Sequence, residues 1–256
     1  AETLPPVFLQ GFVITMLALI VIGTVIQMIH HKNITYFFNN AKKAKLSATR
    51  ELGAGETTAI IAKTIVHDIA TTSELGAGKR RVAHVLGMYG TILFWVASVV
   101  LIFGYTSSES VTPKLWSMMW HVGAIMTCIG GYWFWLFLRV DVLAEAHPWY
   151  RIIKADLFVL TLLACATFGL AWSYTQSLNL ENRWDDKVFL TLYILSNIAL
   201  FGGVYWSKFA HMIYKPGAAI QKNLAEADGS RDNLPPLADA PKQFGLGIKR
   251  EQPKHY

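Results

Sequence analysis

Eight histidines are spread along the 256-residue chain, and imidazole is the side chain that binds iron as a neutral base or moves a proton near neutral pH. His84 is the third residue of an apolar run that begins at Val82, and His211 stands just past another that ends at Trp206. If those runs cross a bilayer in opposite directions, both imidazoles approach it from the same side at similar depth. Two neutral imidazoles facing each other across a helical bundle fill both axial positions of a haem iron. Taken singly, each also suits a polar interfacial contact. Lys79, Arg80, Arg81 and Lys208 surround the pair in sequence. Of these, Arg81 and Lys208 are the best placed to pair with haem propionates, although all four also suit an ordinary basic membrane flank.

His121 belongs to a different level, about one and a half turns into a third run counted from the opposite end. Three chemistries are open to it: donation to a quinone oxygen, ligation of a second haem, or a hydrogen bond between helices. Tyr193 falls at the same level and either joins that site or anchors the interface as an aromatic. His67 and Asp68 lie in a hydrophilic loop, where they orient a surface segment, shuttle protons near a quinone, or are simply solvated. His30 and His31 end the first run, His147 sits in a short loop, and His255 has no evident chemical setting. Cys128 and Cys165 have no metal-binding spacing, so any iron–sulfur cluster would belong to a partner.

The elements that must carry these residues are legible as five apolar runs, at about Val7–Ile29, Val82–Tyr105, Leu115–Leu138, Ala155–Tyr174 and Val188–Trp206. Each approaches the roughly 20 residues that span a hydrocarbon slab, and in lipid such segments must be helical to satisfy their own backbone. The composition agrees, with 53% hydrophobic and 16% charged residues and a mean hydropathy of +0.34; soluble domains carry about a quarter charged. The expectation is an all-α integral membrane protein with five transmembrane helices, in an inner or plasma membrane. The first run reads as a retained span and not as a cleaved signal.

Loop charge supplies an orientation. Residues 30–81 hold nine Lys or Arg, residues 139–154 three, and Lys208 onward eight, against Lys114, Arg183 and Lys187 on the alternate side. Basic loops stay cytoplasmic, which places the N-terminus outside and the C-terminus in the cytoplasm. The net charge of +6 therefore points to lipid surfaces and not to nucleic acid. Residues 1–216 read as a membrane domain that includes the cytoplasmic loop 30–81, with an amphipathic surface helix over Thr57–Thr71. Residues 217–256 read as a partner-binding or flexible tail.

The segments GKRRVAHVLGMYGTILF (78–94) and YWSKFAHMIYKP (205–216) resemble the nitrate-reductase gamma-like family of membrane cytochrome b subunits. The similarity is closest to the membrane subunits associated with heterodisulfide-reductase-like, dissimilatory sulfite-reductase and adenylylsulfate-reductase complexes, over roughly residues 7–216. It implies five spans and b-type haem between the second and fifth. It also implies electron exchange between the quinone pool, menaquinone or ubiquinone, and a cytoplasmic iron–sulfur or flavoprotein reductase. On this resemblance His84 and His211 match the inner-haem ligands. The positions where an outer haem finds its ligands hold Phe94 and Tyr193, so one haem b is expected here, two only if His121 substitutes. With one haem, a quinone site nearer the cytoplasmic face is expected, because transfer from the outer side becomes long. The expected role is an electron-transfer subunit that is not itself catalytic, of sulfur metabolism such as adenylylsulfate reduction or its reverse. The alternative is a haem-free structural anchor of such a complex. A transporter reading lacks the paired broken helices that would support it.

Overall fold

In the computed structural model, the residues described are 4–30, 32–75, 78–105, 112–139, 150–178, 184–207, 209 and 211–230. Their regular structure is helical throughout. Two compact units are present: residues 1–31 with 79–212, and residues 32–78 with 213–256. The sequence reading divides the chain differently, with the loop 30–81 inside a membrane domain 1–216 and a tail at 217–256.

The first unit contains α1 (Pro6–His30), α4 (Lys79–Gly104), α5 (Lys114–Trp133), α6 (Leu157–Ser177) and α7 (Trp184–Gly202). Helix α5 runs on through a π-helical turn, Phe134–Leu138. Four segments are long and apolar enough to cross a membrane: α1, α4, α5 with its π extension, and α6. Helix α7 differs because Asp185, Asp186 and Lys187 occupy its first turn. It also stops at Gly202, before the expected end at Trp206, and the chain turns through 203–206. Large apolar side chains face outward at high exposure, Val7 at 79% and Ile29 at 71% among them. In water such a surface would aggregate; against acyl chains it costs nothing, so the chain is a helical multi-pass membrane protein.

Because lipid is as apolar as leucine, helices in it are held by close packing and internal hydrogen bonds. The α4–α5 pair uses the first device. Gly90 and Gly123 lie where the two backbones meet, and a Cβ on Gly123 would come 2.5 Å from the Phe94 nitrogen. Gly130 likewise stands where a Cβ would be 2.5 Å from the Ala83 oxygen. These contacts pair rising numbers on α4 with falling numbers on α5, so the helices are antiparallel. Helix α1 uses the second device: Gln10 donates to the Ile102 carbonyl at 3.4 Å and Gln27 to the Tyr205 carbonyl at 3.3 Å. The two strongly polar side chains of the first run thus bond to backbone oxygens. At the start of α7, Asp186 accepts from Gln176 at 2.7 Å and Thr175 at 3.2 Å. That tie holds the charged turn of α7 against the end of α6.

The second unit contains α2 (Asn33–Leu46), α3 (Ala54–Lys63), which continues as a π-helix over Thr64–Ala70, a 3₁₀ turn Ser73–Leu75, and α8 (His211–Ala227). Asn223 on α8 donates to Thr64 Oγ1 at 2.8 Å and to Asp68 Oδ2 at 2.6 Å. At the end of α8, Arg50 Nε donates to the Ala227 carbonyl at 2.6 Å while its guanidinium pairs with Glu56. A carbonyl at a helix C-terminus has no partner of its own and favours a cation. Helix α8 begins before Pro216 and runs through it.

Candidate functional site

The level at which an outer haem would sit is occupied by side chains. Phe94 is 1% exposed, with its ring centroid 5.0 Å from that of Trp120 and 6.5 Å from that of Tyr193. Trp172 stacks on Tyr193 at 6.1 Å. Gly169 on α6 makes room for this cluster, since a Cβ there would be 3.2 Å from Tyr193 and 3.3 Å from Trp120. Toward the middle of the bundle, Trp95 stacks on Phe209 at 6.0 Å and meets Phe201 at 5.4 Å. Phe158 meets Phe209 edge-on at 5.5 Å. Phe209, only two residues before His211, is itself 2% exposed.

Beside these rings a cavity of about 680 Å³ opens among α1, α4, α5, α6 and α7. His121 and Tyr193 both line it, so the structure brings these two expected neighbours to one site. His121 Nδ1 is 2.7 Å from the Ser117 carbonyl, and Nε2 is 2.8 Å from Ser173 Oγ. A carbonyl only accepts, so Nδ1 carries the proton and, in the neutral ring, Nε2 accepts from the serine hydroxyl. Trp120 Nε1 donates to Ser98 Oγ at 3.0 Å, and Asn197 Nδ2 to the Tyr193 carbonyl at 2.8 Å. Two further donors are left over. The indole nitrogens of Trp95 and Trp172, both in the cavity wall, are buried with no hydrogen-bond partner among the described residues. Buried donors are nearly always satisfied. Sequence reasoning missed both tryptophans, since an indole in an apolar run reads as packing.

His84 lies at the other end of α4. It is exposed and takes part in an interaction of its own. Eleven residues separate it from Trp95, close to three turns, so the two share a side of α4 about 16 Å apart. Its expected partner is the first residue of α8, but the side chain of His211 lies outside the described residues, as does Lys208. Arg81 is half-buried near the start of α4 and is engaged. The cavity lies in the half of the bundle away from His84, with the polar groups His121, Ser173 and Gln176 in its wall. Among the described residues, no group of three or more His, Cys, Asp or Glu is arranged to hold a metal ion; a two-histidine haem site would not form such a group.

In the second unit His67 joins a small polar network on the π-helix. His67 Nδ1 is 3.0 Å from Asp68 Oδ1 and 2.9 Å from Ser73 Oγ, and Ser73 donates to Asp68 at 2.7 Å. A serine nucleophile needs its base and the base's orienting carboxylate on opposite ring nitrogens; here both contacts fall on one, which excludes that relay. Burial pushes the Asp68 carboxyl up, but hydrogen bonds from His67, Ser73 and Asn223 outweigh it and hold the group at about 2, against an ordinary 3.8. The folded value is the lower, so the stabilisation is complete above about pH 4 and is lost as pH falls through 2. The protection of the Thr64–Ala70 amides, taken relative to intrinsic exchange at each pH, is expected to fall between pH 4 and 2, and Asp68→Asn to remove that dependence.

Neither a family model, nor a curated protein, nor a solved structure matches the chain. The class defined by fold and site is thus a helical multi-pass membrane protein with a tryptophan-lined cavity at one end.

Proposed function

We propose that the chain is a haem-free membrane anchor subunit, holding a soluble oxidoreductase module at the membrane. One observation carries this reading: Phe94 and Tyr193, with ring centroids 6.5 Å apart, stand at the outer level where axial ligands would be needed. Phenylalanine cannot ligate iron and a phenol is not the partner of a low-spin b haem, so the residues there do not fit a haem. At the inner level the one described ligand candidate, His84, is exposed. The kind of complex comes from the resemblance alone, with sulfur metabolism and adenylylsulfate reductase as its narrowest form. Five spans with the N-terminus outside and the C-terminus cytoplasmic complete the reading. Helix α7 would be the fifth, its charged first turn at the outer surface, and the second unit would then face the cytoplasmic partner.

A second reading, an electron-transfer subunit serving the quinone pool, draws support from the cavity. Trp95 and Trp172 present two N–H donors without acceptors there, and a quinone brings two carbonyl oxygens. His121 and Tyr193 would then orient the ring, and α1 would shield its tail. Bound haem b would supply one-electron transfer; His84 and His211 would hold it, and Arg81 and Lys208 would neutralise its propionates.

An optical spectrum of the purified chain, taken together with its co-purifying subunits, separates the readings. The anchor predicts no reduced b-haem bands, an unchanged spectrum in His84→Ala, and release of the soluble module from membranes when the chain is deleted. One haem per chain that disappears in His84→Ala would overturn the anchor reading in favour of the second.

A further inference from the structure

Between Thr3 and Arg50 the chain contains no Asp or Glu, although this stretch leaves α1 and forms the whole of α2. Helix α1 is membrane-spanning in length and composition and ends at His30. Helix α2 begins at Asn33, so the connecting residues allow its start to lie no more than about 10 Å from the end of α1. That distance is within the thickness of a headgroup layer.

The side chains on α2 change character along its length. Ile34, Tyr36, Phe37 and Phe38 are all exposed, Tyr36 at 65% and Phe38 at 64%. One helical repeat later Lys42, Lys43 and Lys45 are exposed, and none of the three has an acidic partner among the described residues. At about 100° per residue, Ile34, Phe38, Lys42 and Lys45 fall on one stripe about 80° wide. Ala44, off that stripe, is buried at 7%, so the helix already packs by another face. Aromatic residues favour the hydrocarbon–headgroup boundary, and lysines just beyond it are drawn to anionic lipid.

We propose that α2 is a lipid-reading element: Ile34 and Phe38 seat in the interfacial layer, and the lysine cluster that includes Lys42 and Lys45 of the same stripe binds the headgroups of anionic phospholipid. The order along the helix, apolar first and basic second, matches the order in which a chain leaving the bilayer meets acyl chains and then phosphates. An acidic protein surface would satisfy the lysines but would leave the apolar half of the same stripe, Ile34 and Phe38, exposed to water.

The test uses the full-length chain in nanodiscs of equimolar phosphatidylglycerol and phosphatidylcholine, with retained lipids counted by native mass spectrometry. Lys42→Gln/Lys43→Gln/Lys45→Gln is expected to lower the preference for phosphatidylglycerol about fivefold or more, fivefold being the equivalent of about 1 kcal/mol for a single lysine. Lys63→Gln/Lys222→Gln should leave it unchanged. A spin label at Phe38→Cys, in a Cys128→Ser background, should collide with oxygen in preference to an aqueous nickel chelate. An unchanged lipid preference in the triple variant, or an equal loss in the control pair, would overturn the proposal. So would a label that stays aqueous in nanodiscs and is shielded only when the soluble partner is added, which would assign this face to a protein.

Discussion

Gly123→Val is expected to prevent the membrane unit from assembling, and even Gly123→Ala to cost about 3 kcal/mol, the upper end of ordinary overpacking. The added Cβ would stand 2.5 Å from the Phe94 nitrogen and 2.7 Å from the Gly90 oxygen. Both are backbone atoms in the middle of α4, so no rotamer change relieves the clash; the helices must separate. Separation would also open the buried Thr91–Thr127 contact at 3.4 Å and pull Phe94 away from Trp120. Gly11→Ala is the matched control, because a Cβ there meets nothing within 4 Å. Thermal unfolding in detergent and the monodisperse yield report the difference. A Gly123→Ala protein that melts with the parent would show that the two helices are not held at this distance.

Asp156→Ala is expected to destabilise the protein by about 3–5 kcal/mol, the range for removing one member of a buried pair. Arg139 and Asp156 are 8% and 11% exposed at their side chains. Arg139 Nε donates to Asp156 Oδ1 at 2.9 Å, and a second guanidinium nitrogen bonds the other carboxylate oxygen. Asp156 also accepts from the Ile153 backbone at 2.9 Å, just before α6. Its removal strands a guanidinium that packs 4.2 Å from the Trp135 ring centroid and already has one buried nitrogen without a partner. Arg139→Leu/Asp156→Leu should recover most of the loss, because the desolvation of both charges disappears together. Equal melting temperatures for the parent and Asp156→Ala would show that water reaches the pair.

The apolar runs became helices because in lipid a backbone has few other ways to bond itself, so α1, α4, α5 and α6 were legible almost residue by residue. Helix α7 was legible as a run but not in its ending. Val188–Trp206 carries no charge, yet a Cβ on Gly203 would come 2.6 Å from the Ala199 oxygen, and the chain turns there and returns Phe209 to the core. The surface helix expected over Thr57–Thr71 corresponds to α3 and its π extension. Its π geometry had no sequence signal, and the bonds from Asn223 to Thr64 and Asp68 on it join residues more than 150 apart. Helix α2 escaped notice because aromatic and basic residues beside a span read as an ordinary flank.

His121 and Tyr193 could be assigned one level by counting from the ends of their runs. That they face one cavity depends on how α5, α6 and α7 rotate about their axes, which residue spacing alone leaves open. The rotation of α4 and α6 likewise put Trp95 and Trp172 in the cavity wall and left their N–H groups without acceptors among the described residues. The sequence by itself determined the membrane class, the longest helices and the levels of the polar residues, because bilayer thickness and backbone bonding act on each segment separately. Only the tertiary structure decided that Phe94, Trp120, Trp172 and Tyr193 meet in one aromatic cluster and that α8 bonds back to the π-helix through Asn223. Those outcomes follow from contacts between segments distant in sequence, whose packing no single run specifies.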